Sequence, residues 1–137
     1  MRTTIRVLLV LLAAFAAYLG LWALLGPRSF FDTFPGLGLH WVVVDGPYNE
    51  HLVRDVGGLS LGLAVLNLVA AWRPTRALVA TAAAVGLCFS VPHLVYHWAH
   101  VDVLPSSQRV AEIGSLLGPV AAGVALLVLA ARLPADR

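Results

Sequence analysis

Four long apolar stretches alternate with short polar breaks along the chain: Ile5 to Leu25, Val56 to Trp72, Ala77 to Trp98 and Val110 to Ala131. Crossing a hydrocarbon layer of about 30 Å at 1.5 Å per helical residue takes roughly 20 residues, so each stretch reads as a membrane span. The second is short if begun at Val56. Asp45-Gly46-Pro47 is a turn and helix-start signal, however, and the helix is expected to begin near Tyr48 with one or two polar turns. Arg73-Pro74-Thr75-Arg76 reads as a tight hairpin, and Leu104-Pro105-Ser106-Ser107 as the opening of the last helix, with a serine as its N-cap. The pattern predicts an all-α polytopic membrane protein. It is a four-transmembrane-helix bundle forming one domain over 1–137, with helices at about 5–25, 48–72, 77–98 and 108–131 and a long, aromatic-rich first outer loop over 26–47.

The N-terminal stretch invites a second reading. Arg2 and Arg6, the apolar run from Val7 to Ala17 and the small-residue pattern at Ala14-Phe15-Ala16 resemble a secretory signal. The apolar run nevertheless continues through Trp22 and Leu25 to spanning length, and a retained helix is the expectation.

Composition agrees with the pattern. Hydrophobic residues make up 60% and charged residues 12% of the chain, where soluble domains carry about 25% charged residues. The mean hydropathy is +0.87. The formal net charge of +2 comes from scattered arginines, with no lysine and no basic run, which argues against a nucleic-acid partner. Cys88 is the only cysteine, excluding an intrachain disulfide, and reads as a small buried hydrophobe. Lack of lysine beside heavy Ala, Val, Leu and Arg usage is compatible with a high-GC bacterium.

Charge also orients the spans. If the helices alternate, Arg2, Arg6, Arg73, Arg76, Arg132 and Arg137 share one side, and only Arg28, Arg54 and Arg109 lie on the other. Arginine-rich loops stay in the cytoplasm, so both termini are expected there, in the cell membrane. The outer side then collects Asp32, Asp45, Glu50, Asp55, Asp102 and Glu112 and all five histidines, His40, His51, His93, His97 and His100. The loop between the first two spans is too long for a simple turn and carries Phe30, Phe31, Phe34, Trp41 and Tyr48. A short helix over Ser29 to Phe34, stopped by Pro35-Gly36, and an extended Trp41 to Val44 would make it a lid; an interfacial aromatic belt is the plainer alternative.

Three helices carry polar residues at their outer ends above small ones. At 100° per residue, His51, Asp55, Gly58 and Gly62 form one stripe, and the Gly58-x-x-x-Gly62 spacing permits close helix approach. His93, His97 and His100 follow at i, i+4 and i+7 over Phe89, Gly86 and Ala82, and Glu112 stands above Ser115, Pro119 and Gly123. These stripes are expected to meet in one outward-facing cavity. Ser60 and Asn67, on the face opposite His51, are expected to contact another helix or subunit instead. Pro92 and Pro119 are expected to kink their helices.

Ionisable groups are costly inside a membrane, which marks them as candidates for function. The sharpest expectation is a divalent or transition metal held by His93, His97 and His100 with His51 or Glu50, and with Glu112, Asp55 and Arg54 as candidate catalytic groups. A haem between His51 and a histidine of the third span is a weaker alternative. Against both stands a structural network in which Glu50 pairs with Arg54 and Asp55 with Arg54 or Arg109. Such a network fits an accessory subunit bound to a larger membrane complex or to further copies of itself. A small transporter or quinone-binding protein is the third class, although the cytoplasmic half looks too apolar for a continuous polar path.

Four short helices, a long first outer loop and a Gly-rich second helix resemble the DoxX-like group of small bacterial membrane proteins. Pro47-Tyr48-Asn49-Glu50-His51 with Arg54-Asp55, and Pro92-His93 with Tyr96-His97, resemble an uncharacterised actinobacterial membrane-protein family. The wider group's links to respiratory or sulfur redox metabolism are what the resemblance implies about function.

Overall fold

The computed structural model describes residues 1–135 and is almost wholly helical; Arg137, one of the arginines that orient the spans, lies outside the described residues. The helices are α1 (Arg2–Leu25), α2 (Pro27–Thr33), α3 (Glu50–Trp72), α4 (Arg76–Ala99) and α5 (Ser106–Ala131). All but α2 are long and apolar enough to cross a membrane. Much of their outward surface is bare hydrocarbon, including Leu59, Val65 and Val110, so a lipid bilayer is the solvent that suits them. Cys88, expected to be buried, is exposed on α4, where lipid suits a small hydrophobe as well as a protein interior does.

Local chemistry sets the boundaries. The α3 helix starts at Glu50 and not at Tyr48, because Asn49 is its N-cap: its side-chain oxygen accepts from the Leu52 N–H at 3.1 Å. Thr75 caps α4 in the same way, through the Leu78 N–H at 3.2 Å. The α5 helix departs from expectation. Its cap position is Pro105, with no side-chain bond, and both serines fall inside the helix. Pro92 and Pro119 lie within helices that continue past them.

The segment before α3 is more structured than a loop. Pro27 opens α2, whose Phe34 cap leads into a two-strand ladder, β1 (Pro35–Gly36) and β2 (Leu39–His40), paired Pro35 to His40 and Gly36 to Leu39. Leu37 (φ 59°) and Gly38 (φ 77°) make the two-residue turn, the backbone that a tight hairpin needs. The expected extended stretch Trp41 to Val44 is instead a bend running into a 3-10 turn, Val43–Asp45.

Helix α1 packs along α3, and α4 along α5. The first pair closes through glycine: a Cβ on Gly57 would stand 2.7 Å from the Leu24 nitrogen and 3.0 Å from the Gly20 oxygen. That contact replaces the expected one. Gly58 and Gly62 have nothing within 4 Å of an added Cβ and leave their stripe open. The two pairs join at the end that holds the α3–α4 turn, in a core where Ile5 and Leu9 meet Ala70, Val79, Ala82 and Leu126. At the other end a second core of Phe30, Phe31, Phe34, Trp41, Val53 and Leu104 is built largely by the α1–α3 connection.

Candidate ligand cavity

Between these two cores lies a cavity of about 510 Å³, within the range of small-molecule sites. Its wall runs from His97 down to Ala82 on α4, about 22 Å at 1.5 Å per residue, and ends near Asn67 and Gly123. Most of the lining is apolar. The α1–α3 connection covers the end near His97 with Phe30, Phe31, Phe34, Trp41 and Asp45.

The polar groups at this end come from three elements. Glu112, only 3% exposed, holds His97 through Oε1 to Nδ1 at 2.8 Å. With the carboxylate ionised, Nδ1 carries the hydrogen, which fixes the tautomer and leaves Nε2 for another partner. The Ser115 hydroxyl donates to the Glu112 carbonyl oxygen at 2.7 Å. His93 lies one turn below His97, ring centroids 4.5 Å apart, and stacks on Phe89 at 4.9 Å. Asp45, on the 3-10 turn, accepts from the Tyr96 hydroxyl at 3.1 Å and ties the connection to α4. The α4–α5 half of the expected constellation is thus assembled: His93, His97 and Glu112 share the cavity.

The α3 half is not. His51 pairs with Asp55 at 3.0 Å on the open surface, their side chains 87% and 54% exposed. Arg54 binds Glu50 at 2.9 Å and also donates to the Leu24 carbonyl, one of those left without a helical partner at the end of α1. His100 turns back to stack on Tyr96, with its Nδ1 2.8 Å from the Tyr96 oxygen. The expected ligands His51, Glu50, His93, His97 and His100 therefore do not converge. Among the described residues no group of three His, Cys, Asp or Glu side chains is arranged to hold a metal ion. The physical reason is rotation. The cavity face of α3 is Val53, Val56, Ser60, Leu63 and Asn67, turned away from the stripe of His51, Asp55, Gly58 and Gly62. At a membrane surface, water and headgroups solvate a polar helix end as well as a site would.

Ser60 and Asn67, expected to face another helix or subunit, line the cavity instead. The Ser60 hydroxyl donates to its own helix at Val56 O, 2.7 Å. Asn67 donates from Nδ2 to Leu63 O at 2.9 Å; only a donor can face a carbonyl, so Oδ1 points elsewhere, and it has no partner. Ser90 Oγ and Trp41 Nε1 are also buried and unpartnered, and both residues line the same space. Buried polar atoms left unpaired cost about 1–3 kcal/mol each and call for an explanation. The sequence signal for Asn67 was an amide in the middle of a membrane span, which is itself costly.

Arg28, on α2, is engaged outside the cavity. It binds Asp32 at 2.7 Å and lies 5.0 Å from the Tyr48 ring centroid. Desolvation, with the Glu50 carboxylate beside it, raises the Tyr48 phenol above its ordinary value.

The family described as Domain of unknown function (DUF4345) matches residues 4–111. The chain belongs to this family. In this DUF4345 chain the match takes in α1 to α4 with His93 and His97, and it ends one residue before Glu112. No curated protein and no solved structure matches the chain. The family's description assigns no activity, so the reading of the DUF4345 site rests on its own geometry.

Proposed function

We propose that the protein is a small membrane-embedded binding protein for an amphipathic, lipid-soluble molecule. The molecule's polar head lies against His97 and Glu112 and its apolar body fills the space down to Asn67. The observation that carries this reading is one elongated, largely apolar cavity with a His–carboxylate pair at one end. Ligand sites of this kind are apolar walls with a few placed polar groups. In this reading the helices form a four-helix bundle in the cell membrane of a bacterium, with both termini cytoplasmic, and the aromatic connection is the outer lid. The likeness to the DoxX-like group, with its redox links, keeps quinone-type molecules within the class.

Transport through the protein fits less well, because the core around Ile5, Leu9 and Leu126 fills the bundle beyond the Asn67 end of the cavity. A transition metal or haem at His93 and His97, or an accessory role in a larger complex or homo-oligomer, competes with ligand binding and makes different predictions. The test is to extract detergent-purified protein and identify bound small molecules by mass spectrometry, alongside metal analysis. The control is Gly86→Leu: Gly86 lines the cavity and has open space around an added Cβ, so a larger side chain can be introduced there to take up cavity volume. An organic molecule retained by the native chain and lost from Gly86→Leu is the expected result. Absence of any such molecule, or stoichiometric metal lost in His93→Ala with His97→Ala, would overturn it.

A further inference from the structure

We infer that the cavity selects a lipophilic amine, a ligand whose head is an ammonium group, over one headed by a carboxylate or phosphate; this rests on the ligand-binding reading and narrows it. The charges at the cavity end decide the sign. Every arginine there is engaged away from the cavity by an acid: Arg28 by Asp32 at 2.7 Å, Arg54 by Glu50 at 2.9 Å and Arg109 by Asp102 at 2.9 Å. Asp55 has His51 on the open surface. Among the described acids that leaves Asp45 and Glu112, and these two are the carboxylates that line the cavity. No described arginine lines it, and the chain has no lysine. His97 offsets at most one of the two charges, and among the described residues Asp45 is met by the Tyr96 hydroxyl alone.

An anionic head would enter beside these carboxylates with no arginine or lysine to receive it; around the buried Glu112 water screens little, while Asp45, on an exposed turn, adds a weaker repulsion. An ammonium head gains the same interaction with the opposite sign. The wall at this end adds to the preference: Phe30, Phe34 and Trp41 line the space, with Phe30 and Phe34 4.7 Å apart and Phe34 and Trp41 6.4 Å apart. Aromatic faces attract cations and offer nothing comparable to an anion. An independent observation points to an occupant. Asn67, 5% exposed, lines the apolar end with an unpartnered acceptor, Oδ1, and Ser90, 8% exposed, lines the cavity with an unpartnered hydroxyl between Asn67 and His93 in height.

The experiment uses the full chain in lipid nanodiscs and three probes of equal chain length: decylamine, decanol and decanoate. Binding is followed by tryptophan fluorescence against protein-free nanodiscs. Decylamine is expected to bind at least about tenfold more tightly than decanoate, a difference of about 1.4 kcal/mol, with decanol between them. Glu112→Gln should shrink that ratio at least about fivefold and leave decanol within about threefold. Asp45→Asn, on a turn outside the spans, should shrink it in the same direction, and it carries the test if Glu112→Gln fails to fold. Decanoate binding as tightly as decylamine, or a ratio untouched by the variants that fold, would overturn the inference while leaving the cavity reading intact. If none of the three probes binds the native chain better than Gly86→Leu, the cavity reading itself fails and this inference falls with it.

Discussion

The two ends of the helix pairs solve the same packing problem in opposite ways. At the end with the α3–α4 turn, small residues let four helices close on one another, and Ile5, Leu9, Val79 and Leu126 are completely or almost completely buried. At the other end an aromatic cap rests on α1 and α3, and a cavity with unpartnered polar atoms remains beside α4 and α5. Lipid tails are as apolar as leucine, so burial alone does not drive helices together in a bilayer, and close contact has to. The closed end brings all four helices into contact; at the cavity end α1 and α3 stay close, through Gly57 against Gly20 and Leu24, and the pairs part. What distinguishes a site from a scaffold here is therefore packing density, with polarity as the second mark.

The largest expected effects come from the α1–α3 contact that holds this pair together beside the cavity. Gly57→Leu drives a side chain into the α1 backbone, where a single added Cβ already lies 2.7 Å from the Leu24 nitrogen. Overpacking typically costs about 1–3 kcal/mol, and more where rigid backbone is the obstacle. Loss of the folded state, read as the unfolding midpoint in detergent, is expected, whereas Gly58→Leu and Gly62→Leu should leave that midpoint within error. Equal sensitivity at Gly57 and Gly58 would mean that the stripes are assigned to the wrong faces. Next comes the closed core. Ile5→Ala should destabilise by about 2 kcal/mol or more, because its neighbours are held too closely to collapse around the void.

How much of this was legible in the sequence follows from the same contrast. The spans were legible because apolar length is a local property. The α4–α5 half of the polar site was legible as well, since His93 and His97 lie one turn apart on one helix and Glu112 enters its own helix near the same height. The choice between Gly57 and Gly58 was not, because periodicity establishes which residues share a face and leaves open which face is inward. On α3 a polar stripe above two glycines reads as an inner face, and the membrane surface reverses that logic: His51, Asp55, Glu50 and Arg54 are satisfied by one another at the edge of the bilayer. The hairpin at Leu37-Gly38 was hidden because a leucine in the left-handed region carries no turn signal.

Effects at the cavity end should be smaller and should depend on chemistry more than on size. Glu112→Ala leaves the His97 Nδ1 without its acceptor in a buried setting, at about 1–3 kcal/mol. Glu112→Gln keeps an oxygen for that bond and should cost about half as much or less. A cost for Gln equal to that for Ala in thermal unfolding would place the value of Glu112 in its charge and not in the hydrogen bond. Asn67→Leu should have the opposite sign. The substitution removes an unpartnered acceptor, and the Leu63 carbonyl keeps its backbone helix bond, so the empty protein is expected to be stabilised by up to about 1 kcal/mol. A destabilised Asn67→Leu would mean that Oδ1 has a partner in the membrane, such as a bound ligand or an ordered water.

The smallest expected effect separates ornament from site on a single helix. His51 and Asp55 form an ion pair at 3.0 Å, yet both side chains are more than half exposed, where such pairs contribute about 0–1 kcal/mol. His51→Ala and Asp55→Ala should each shift stability by less than about 0.5 kcal/mol and leave ligand retention unchanged. His97→Ala should lower retention, because it removes an imidazole that lines the cavity and the hydrogen bond that positions Glu112 beside the head of the ligand. Running the three variants in parallel, with unfolding and retention measured on the same preparations, tests whether the polar end of α3 belongs to the site. If His51→Ala loses ligand as His97→Ala does, then α3 rotates in the membrane to bring its stripe inward, and the face of Val53, Ser60 and Asn67 is one of two that the cavity can be lined by.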